Sequence, residues 1–404
     1  MNTRQLSLLL ILGPPLALGA AESKRITLDE ALRLAEASPM VRILDREVEH
    51  AQAEVRATGL WPNPEVLLSR EEALGTVDRL ETLSFPLPLT GRLSLEKSAA
   101  RSGLVAAEVR SGFALVSIIR ADVRESFLDL VAAQERSSSL RTGLSRLSEL
   151  VEVLQAREKE GESSGFDRMR AQRERAEIEA DLLESRGRET RPRARLAALL
   201  GLSSDGLVAE GHLEAGGVLP PFGEVKAVAA SRGDVIALDA EVERAGYLAK
   251  AAGRRAIPEP SLAIGIKTTE VDGVSGTGGV AAISFSLPLF DRGQGSRAIA
   301  RAEEALLRTR REALARQVMA QAESALAEAI ARREAAGAYA AAGDPEELVG
   351  IARAAYEAGE MRILELLDAY RTALAVHLRT IDLRAEARRA EIELNRVLGT
   401  EIVR

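Results

Sequence analysis

Apolar and polar residues alternate in four short segments of the chain, which predicts four β-strands. In the first half, the segments are residues 65–73 and 79–89. In the second half, residues 261–268 and 280–289 flank a glycine-rich segment, 273–279, which we interpret as a loop. Alternation with a period of two is typical of strands that bury one face. We therefore predict one β-hairpin in each half of the chain.

A long helical pattern follows each hairpin. Residues 92–158 contain no proline and keep a continuous helical repeat, which predicts a helix about 100 Å long. Further helices are predicted over 166–200 and over 294–358, the latter with an interruption at a proline. Shorter helices precede the hairpins, and the first of them begins at a capping box formed by Thr27 and Glu30. The fold class is therefore mainly α with a small β part.

The same order of elements occurs twice, at an offset of about 200 residues. The residues that end each hairpin recur almost unchanged: Ser84, Phe85, Leu87, Pro88, Leu89 and Arg92 correspond to Ser284, Phe285, Leu287, Pro288, Leu289 and Arg292. We divide the chain into a signal peptide (1–21), a first repeat (22–202), a Gly/Pro-rich linker (203–221) and a second repeat (222–404). A duplicated unit of a strand hairpin and a long helix is thus the predicted architecture.

The N-terminal segment predicts export from the cytoplasm. Arg4 precedes an apolar run over residues 6–18, and small residues follow it at 19–21. This pattern is typical of a secretory signal peptide, and the run is shorter than a membrane-spanning helix needs. No other apolar run in the sequence is judged long enough to span a bilayer as a helix. If the mature chain enters a membrane, we expect it to do so as strands.

The number of strands indicates that several copies of the chain act together. Two strands in each half cannot close a barrel, yet only a closed barrel satisfies the strand backbone inside a membrane. The predicted strands are long enough to cross a bilayer at a tilt. We therefore expect several chains to share one barrel, with the long helices projecting from one rim and packing side by side as a tube.

Four stretches carry a resemblance that covers nearly all of the mature chain. They read WPNPEVLLSREEALG, ETLSFPLPLTGR, ISFSLPLFDRGQGSRAIARAEEAL and PEELVGIARAAYEAGEMRILELLDAYRTAL. The chain resembles the TolC family of outer-membrane efflux proteins, and within it the CzcC-like branch of heavy-metal efflux. The resemblance implies a homotrimer in outer-membrane lipid, with a 12-stranded barrel and an α-helical periplasmic tunnel. It also implies docking to an inner-membrane RND-type pump through a periplasmic adaptor protein.

Two groups of residues are candidates for functional roles in such a channel. The resemblance implies that two helix-turn-helix tips form the periplasmic tunnel entrance, with Gly161, Asp167, Tyr356, Gly359, Glu365 and Asp368 as candidates. Glu365 and Asp368 are three residues apart on one helix face, so a trimer would stack rings of carboxylates that favour cations. We also predict a hydrogen bond between Tyr356 and Asp167. The barrel-to-tunnel junction is assigned to Pro88, Arg92, Pro288 and Arg292, where the prolines end the strands and the arginines begin the helices.

Composition narrows the possible functions further. A net charge of −7 argues against a nucleic-acid surface, and the chain has no cysteine. His50, His212 and His377 are isolated, so we predict neither a metal site nor a cofactor. No catalytic motif is found, and we predict that the protein is not an enzyme. Two alternatives stay open: a duct for drugs or type I secreted proteins, and a periplasmic coiled-coil scaffold without a pore.

Overall fold

The structure is a computed structural model that describes residues 24–161, 164–213 and 216–403. The predicted signal peptide lies outside the described residues. The described helices are α1 (Leu28–Glu36), α2 (Pro39–Ala57), α3 (Arg92–Ala114), α4 (Ala121–Lys159), α5 (Gly165–Leu200), α6 (Phe222–Ala230), α7 (Gly233–Arg254), α8 (Gln294–Ala340), α9 (Pro345–Glu357) and α10 (Ile363–Leu398). The described strands are β1 (Lys24–Ile26), β2 (Glu65–Ala73), β3 (Thr76–Pro86), β4 (Leu207–Ala209), β5 (Pro260–Val271) and β6 (Val274–Phe285).

The two predicted hairpins are present and form one antiparallel sheet of four strands. The strand order is β2-β3-β5-β6, so one hairpin from each repeat lies beside the other. The prediction of a glycine-rich loop at 273–279 is wrong, because residues 274–279 belong to β6 and the turn contains only Asp272 and Gly273. Glycine has no side chain to show the alternation, so the strand could not be recognised from its pattern.

The strands also end earlier than the prolines predicted. Strands β3 and β6 end at Pro86 and Phe285, two and three residues before Pro88 and Pro288. Their partner strand β5 begins at Pro260, and beyond Pro86 the Leu87 amide donates one more hydrogen bond to the Pro260 carbonyl, at 2.8 Å. The prediction that Pro88 and Pro288 stop the strands is therefore wrong, although both lie between the sheet and the helices.

The long helical run is confirmed. Helices α3 and α4 are joined by a π-helical segment, Leu115–Arg120, and together form one run from Arg92 to Lys159. This run is long and apolar enough to cross a membrane by length and composition alone, and it is the one such helix in the described part of the chain. The prediction that the mature chain has no such helical run is wrong, because this run contains an apolar stretch of 18 residues with at most two charged residues.

A second, small sheet joins the first described strand, β1, to the predicted linker. Strand β1 pairs in parallel with β4, and β4 lies inside the predicted linker. The side chain of Gln134 on α4 accepts a hydrogen bond from the amide of Ala209 (3.0 Å) and donates one to its carbonyl (2.8 Å). Part of the predicted linker is thus held against the first repeat. Strands of three residues are too short to show an alternating pattern.

The apolar core runs along the helices as separate clusters. One surrounds the small sheet and includes Leu130 and Leu196. A second joins the ends of α4, α5, α9 and α10 and includes Leu154 and Leu366. A third packs α6 and α7 against α8 and α10 around Val318. This distribution fits helices that pack side by side over a long distance.

Candidate functional site: the helix tips and the sheet-to-helix junction

The structure brings the two predicted helix tips together. Helix α4 turns into α5 at Gly161, and α9 turns into α10 at Gly359. Both glycines have a left-handed backbone, with φ of 80° and 78°, which residues with a Cβ rarely adopt. Residues from all four helices share one buried cluster, in which Leu154 and Leu366 are almost fully buried. The tips therefore form one end of the helical part.

Tyr356 has a different partner from the one predicted. Its ring lies 5.3 Å from the guanidinium carbon of Arg157 on α4, a cation–π distance. Asp167 lies in the first turn of α5, which Ser164 caps by accepting a hydrogen bond from the amide of Phe166. Within the described part of this single chain, no hydrogen bond joins Tyr356 to Asp167. Tyr356 thus joins the tips through Arg157 instead.

Glu365 has a structural contact that the sequence analysis missed. Helix α10 begins directly after Arg362, and the Glu365 carboxylate accepts a hydrogen bond from the Arg362 amide at 2.9 Å. Arg362 is the N-cap residue, and a glutamate three residues after the N-cap commonly accepts a hydrogen bond from the N-cap amide. The spacing of Arg362 and Glu365 therefore predicts this contact. Glu365 and Asp368 are both exposed, one turn apart at the N-terminal end of α10. Both carboxylates are therefore open to solvent near the tips.

His377 has a partner on another helix, although it has no second ligand at helical spacing, as predicted. Its Nε2 atom lies 2.7 Å from Oε1 of Glu346 at the start of α9. Arg146 on α4 donates to the other oxygen of Glu346 at 2.6 Å. This hydrogen bond from Arg146 is the main reason why the pKa of Glu346 is lowered, although partial burial opposes it. Glu346 thus ties α9 to α4 and α10 beside a cavity of about 310 Å³.

The other two histidines have weaker partners. Nδ1 of His50 lies 3.9 Å from Glu54, and Nδ1 of His212 lies 3.9 Å from Glu135. Among the described residues, no three side chains of His, Cys, Asp or Glu are grouped so that they could hold a metal ion.

Arg92 links the two repeats where the sheet meets the helices. It is the first residue of α3, as predicted, and donates to Glu96 at 2.9 Å and to Glu259 at 3.5 Å. The hydroxyl of Thr90 also donates to Glu259. Glu259 comes just before β5 in the second repeat, so one carboxylate joins the start of a helix to the start of a strand. Glu259 lies between two prolines at the start of a strand, and this local pattern marks it in the sequence.

Arg292 does not repeat this arrangement. Helix α8 begins at Gln294, after Gly293, so the prediction that Arg292 begins the helix is wrong. The backbone amide of Arg292 donates to the side chain of Gln294 at 2.7 Å instead. The second junction has two more residues before its helix than the first, and this shift moves Arg292 out of the helix.

Pro88 and Pro288 have the same role in both junctions. The amide of Leu89 donates to the carbonyl of Leu87 at 2.9 Å, and Leu289 donates to Leu287 at the same distance. A hydrogen bond between residues two apart defines a γ-turn, and its common form needs a central φ near the value that proline fixes. The central proline also needs no amide hydrogen here. Each proline therefore turns the chain between sheet and helix.

Comparisons with known proteins support this architecture. Residues 225–400 match the family described as Outer membrane efflux protein. The cobalt-zinc-cadmium resistance protein CzcC of Cupriavidus metallidurans is 28% identical over 388 residues, which cover 93% of this chain and 90% of that protein. The chain is therefore similar to outer membrane efflux proteins. The predicted resemblance is confirmed, and so is the location in the outer membrane with a periplasmic extension.

Solved structures of membrane proteins share the fold over nearly the whole chain. A structure of CusC has a TM-score of 0.74 at 20% identity and covers 92% of both chains. A membrane protein from Pseudomonas aeruginosa has a TM-score of 0.72 at 20% identity and covers 92% of this chain and 93% of its own. VceC from Vibrio cholerae has a TM-score of 0.69 at 17% identity, with coverages of 92% and 96%. The sheet and the long helices are thus arranged as in these membrane proteins.

Proposed function

We propose that this chain forms the outer-membrane exit duct of a tripartite efflux system for heavy-metal cations. Three copies would close a 12-stranded barrel from four strands each, and their helices would form a periplasmic tunnel. An inner-membrane RND-type pump supplies the energy, and a periplasmic adaptor joins it to the tips. The duct itself conducts passively and does no chemistry. The metal substrate rests on the similarity to a cobalt-zinc-cadmium resistance protein.

The observation that carries the proposal is a sheet of membrane-spanning size joined directly to long helices. The four strands contain 9, 11, 12 and 12 residues, which suits a tilted transmembrane strand. On one face lie Val66, Leu83, Phe85, Leu262 and Ile264, a surface suited to lipid. A scaffold without a pore has no use for such a face. The run from Arg92 to Lys159 supplies a tunnel wall about 100 Å long.

Each repeat is proposed to be one domain, and part of the linker between them is assigned to the first repeat. The first repeat spans 22–202 and the second 222–404, and each contributes one hairpin and one tip. The linker, 203–221, contains β4, which stays with the first repeat through its pairing with β1.

Fractionation tests the proposal directly. The protein, expressed with its own pump and adaptor in an efflux-deficient host, is expected in the outer membrane as a trimer that resists SDS until it is heated. Cells are expected to gain tolerance to zinc, cobalt or cadmium only when the duct, adaptor and pump are all present. A heat-insensitive monomer in the soluble periplasmic fraction, without metal tolerance, would refute the proposed duct.

The carboxylates at the tips predict cation selectivity. We expect Glu365→Gln with Asp368→Asn to lower the cation-to-anion permeability ratio of the trimer by about twofold or more, because two rings of charge are lost. Glutamine keeps an oxygen that can accept the hydrogen bond from the Arg362 amide, so the start of α10 is preserved. The measurement is the reversal potential in planar bilayers under a salt gradient.

A distant carboxylate provides the control for this test. Asp205 is exposed and lies beyond the far end of α5, away from the tips. Asp205→Asn removes a charge as well and is expected to leave the reversal potential unchanged. If the tip variant and the Asp205 variant shift the reversal potential equally, the carboxylates at the tips do not determine ion selectivity.

A further inference from the structure

Basic residues are concentrated where the second repeat passes from helix to sheet and back to helix. Arg254 and Arg255 lie at the end of α7, and Arg292 precedes α8. Asp291, next to Arg292, already accepts a hydrogen bond from the Gly293 amide at 2.9 Å. This end of the second repeat is therefore positive, although the whole chain has a net charge of −7.

A groove of about 470 Å³ lies next to this positive end, between α7 and α8. Its charged side chains are Lys250, Arg297, Arg301, Arg308, Glu243 and Glu304. Both carboxylates already have partners in the chain. Arg308 Nη2 lies 2.5 Å from Glu304, and Glu243 accepts a hydrogen bond from Ser102 at 3.0 Å. The cations of the groove outnumber its carboxylates by two.

Three of these cations have no anionic partner in the part of the chain that the structure describes. Lys250, Arg297 and Arg301 are exposed, and none forms an ion pair with a described carboxylate. Lys250 contacts a ring instead, with its Nζ atom 5.3 Å from the centroid of Tyr247. At the first junction, by contrast, Arg92 is held by two glutamates. The groove therefore offers three positive charges to an anion from outside the chain.

The groove lies close to the membrane edge of the proposed duct. Helix α7 ends four residues after Lys250 and leads into β5, and α8 begins seven residues before Arg301, after β6. At 1.5 Å per residue, these cations lie within about 10 Å of the helix ends. The headgroup layer of a bilayer extends about 5 to 8 Å beyond its hydrocarbon core. Lipid headgroups at the end of the sheet are therefore within reach of the groove.

The sheet fixes which side of the helical wall faces the lipid. Leu87 continues the apolar face after Phe85, and its amide donates to the Pro260 carbonyl of β5 at 2.8 Å. Chirality sets the side to which the amides of one face point in a strand of L-residues. Viewed from the apolar face with the hairpin turns uppermost, β5 therefore lies to the left of β3. The helices keep this order, since α3 packs on α7 and α7 on α8.

The groove opens on that same side. In this view α8 runs downwards from the sheet, with α7 on its right. Helix α8 contacts α7 through Arg297 and Glu304, and Ala300 between them is buried. Successive residues of a right-handed helix turn clockwise along the chain by about 100°. Arg301 therefore points towards the viewer, on the outer surface below the apolar face of the sheet.

We propose that this groove binds the headgroup of an anionic phospholipid in the leaflet that faces the periplasm. The guanidinium groups of Arg297 and Arg301 donate to the phosphate oxygens, and Lys250 adds a point charge. Tyr247 lies beside Lys250, at the level where aromatic side chains are enriched in membrane proteins. This inference rests on the proposed duct for the position of the sheet in the membrane, and it adds a lipid ligand to that duct.

A phospholipid suits this groove better than a free anion does. Val242 and Ala249 line the groove beside the cations. Ile257 and Phe290, in the segments between the groove and the sheet, are 46% and 91% exposed. The glycerol and acyl parts of a lipid can cover such apolar surface, whereas an inorganic anion leaves it in water.

Lipid binding to the detergent-solubilised trimer tests the site. Native mass spectrometry counts the phosphatidylglycerol molecules that the trimer retains, with phosphatidylcholine as the zwitterionic reference. We expect phosphatidylglycerol to bind about tenfold more strongly. The combined variant Lys250→Gln, Arg297→Gln and Arg301→Gln is expected to lose this preference, since each cation near an anionic headgroup contributes about fivefold in affinity. All three side chains are exposed, so the fold is expected to tolerate the change.

Arginines on another helix provide a matched control. Arg170, Arg173 and Arg186 lie on α5, are exposed, and form no ion pair with any described carboxylate. Replacing all three by glutamine removes the same charge and should leave the preference for phosphatidylglycerol unchanged. Inorganic phosphate, added in excess in a second arm, is expected to displace only part of the bound lipid, because it lacks the apolar contacts.

The outcomes separate this inference from the proposed function. Equal retention of both lipids by the unmodified trimer would overturn the headgroup site and leave the duct intact. The same loss of preference in the α5 variant would also overturn it, since net charge alone would then explain the binding. Complete displacement by inorganic phosphate would replace the lipid site by a site for free anions. A chain that forms no trimer in membranes would refute the duct, and the headgroup site with it.

Discussion

Replacing Glu391 by alanine is expected to destabilise the helical part of the protein by about 3 to 5 kcal/mol. The Glu391 side chain on α10 is only 1% exposed, yet it carries a charge. Its carboxylate accepts hydrogen bonds from Arg333 on α8 (Nε to Oε1, 3.0 Å), from Arg388, and from the Gly216 amide (3.1 Å). Arg333 also donates to the Gly217 carbonyl at 2.8 Å, so this cluster holds the linker on the second repeat.

The expected destabilisation by Glu391→Ala arises from the arginines that alanine leaves without a partner. Removing one partner of a buried ion pair leaves the remaining charge buried and uncompensated. The free energy lost in this way is larger than the net stabilisation that the intact pair provides. Arg333 and Arg388 are 27% and 20% exposed, so water can reach part of each guanidinium. We therefore expect the lower end of the range. The measurement is the thermal unfolding midpoint of the detergent-solubilised protein, followed by circular dichroism at the helix band.

The same helix offers a matched control. Glu386 also lies on α10 and binds an arginine of α8, with Arg332 Nη1 at 2.6 Å. That pair is 33% and 45% exposed, and exposed ion pairs contribute about 1 kcal/mol or less. Glu386→Ala should therefore lower the midpoint only slightly. Equal shifts for Glu391→Ala and Glu386→Ala would show that burial of Glu391 adds nothing.

Local sequence patterns were sufficient to predict those elements whose structure depends on residues close together in the chain. Thr27 and Glu30 form the capping box that their spacing predicted, with both hydrogen bonds present. The hairpins, the long run after Arg92 and the tip glycines were also correct to within a few residues. In each of these cases the signal is a period, a cap or a backbone requirement that the sequence displays directly.

The contacts that join distant parts of the chain were not visible in the same way. His377 seemed isolated because its partner, Glu346, lies 31 positions earlier on another helix. Glu391 would be assigned to a solvated helix face, since only the fold shows that two arginines and the linker surround it. A charged residue in a helical pattern carries no local mark of burial. The roles of Pro88 and Pro288 in γ-turns also depended on hydrogen bonds that only the structure shows.

The second large effect is expected at Gly265 in β5. A Cβ atom there would collide with the carbonyl oxygen of Glu81 and come within 2.8 Å of Cα of Thr82, both backbone atoms of β3. Backbone atoms cannot rotate away as a side chain can, so β3 and β5 must separate. Forcing extra atoms into a packed contact typically costs about 1 to 3 kcal/mol. This contact is the one that joins the hairpins of the two repeats.

We therefore expect Gly265→Val to reduce the yield of heat-modifiable trimer in the outer membrane by about tenfold or more, because each trimer would contain the strained contact three times. The control is Ala263→Val in the same strand, at a position that already carries a Cβ atom opposite Ser84 of β3. It adds the same side chain to the same sheet and should assemble normally. Unheated SDS gels of membrane fractions measure both variants. Normal assembly of Gly265→Val would mean that β3 and β5 are not in close contact in the membrane.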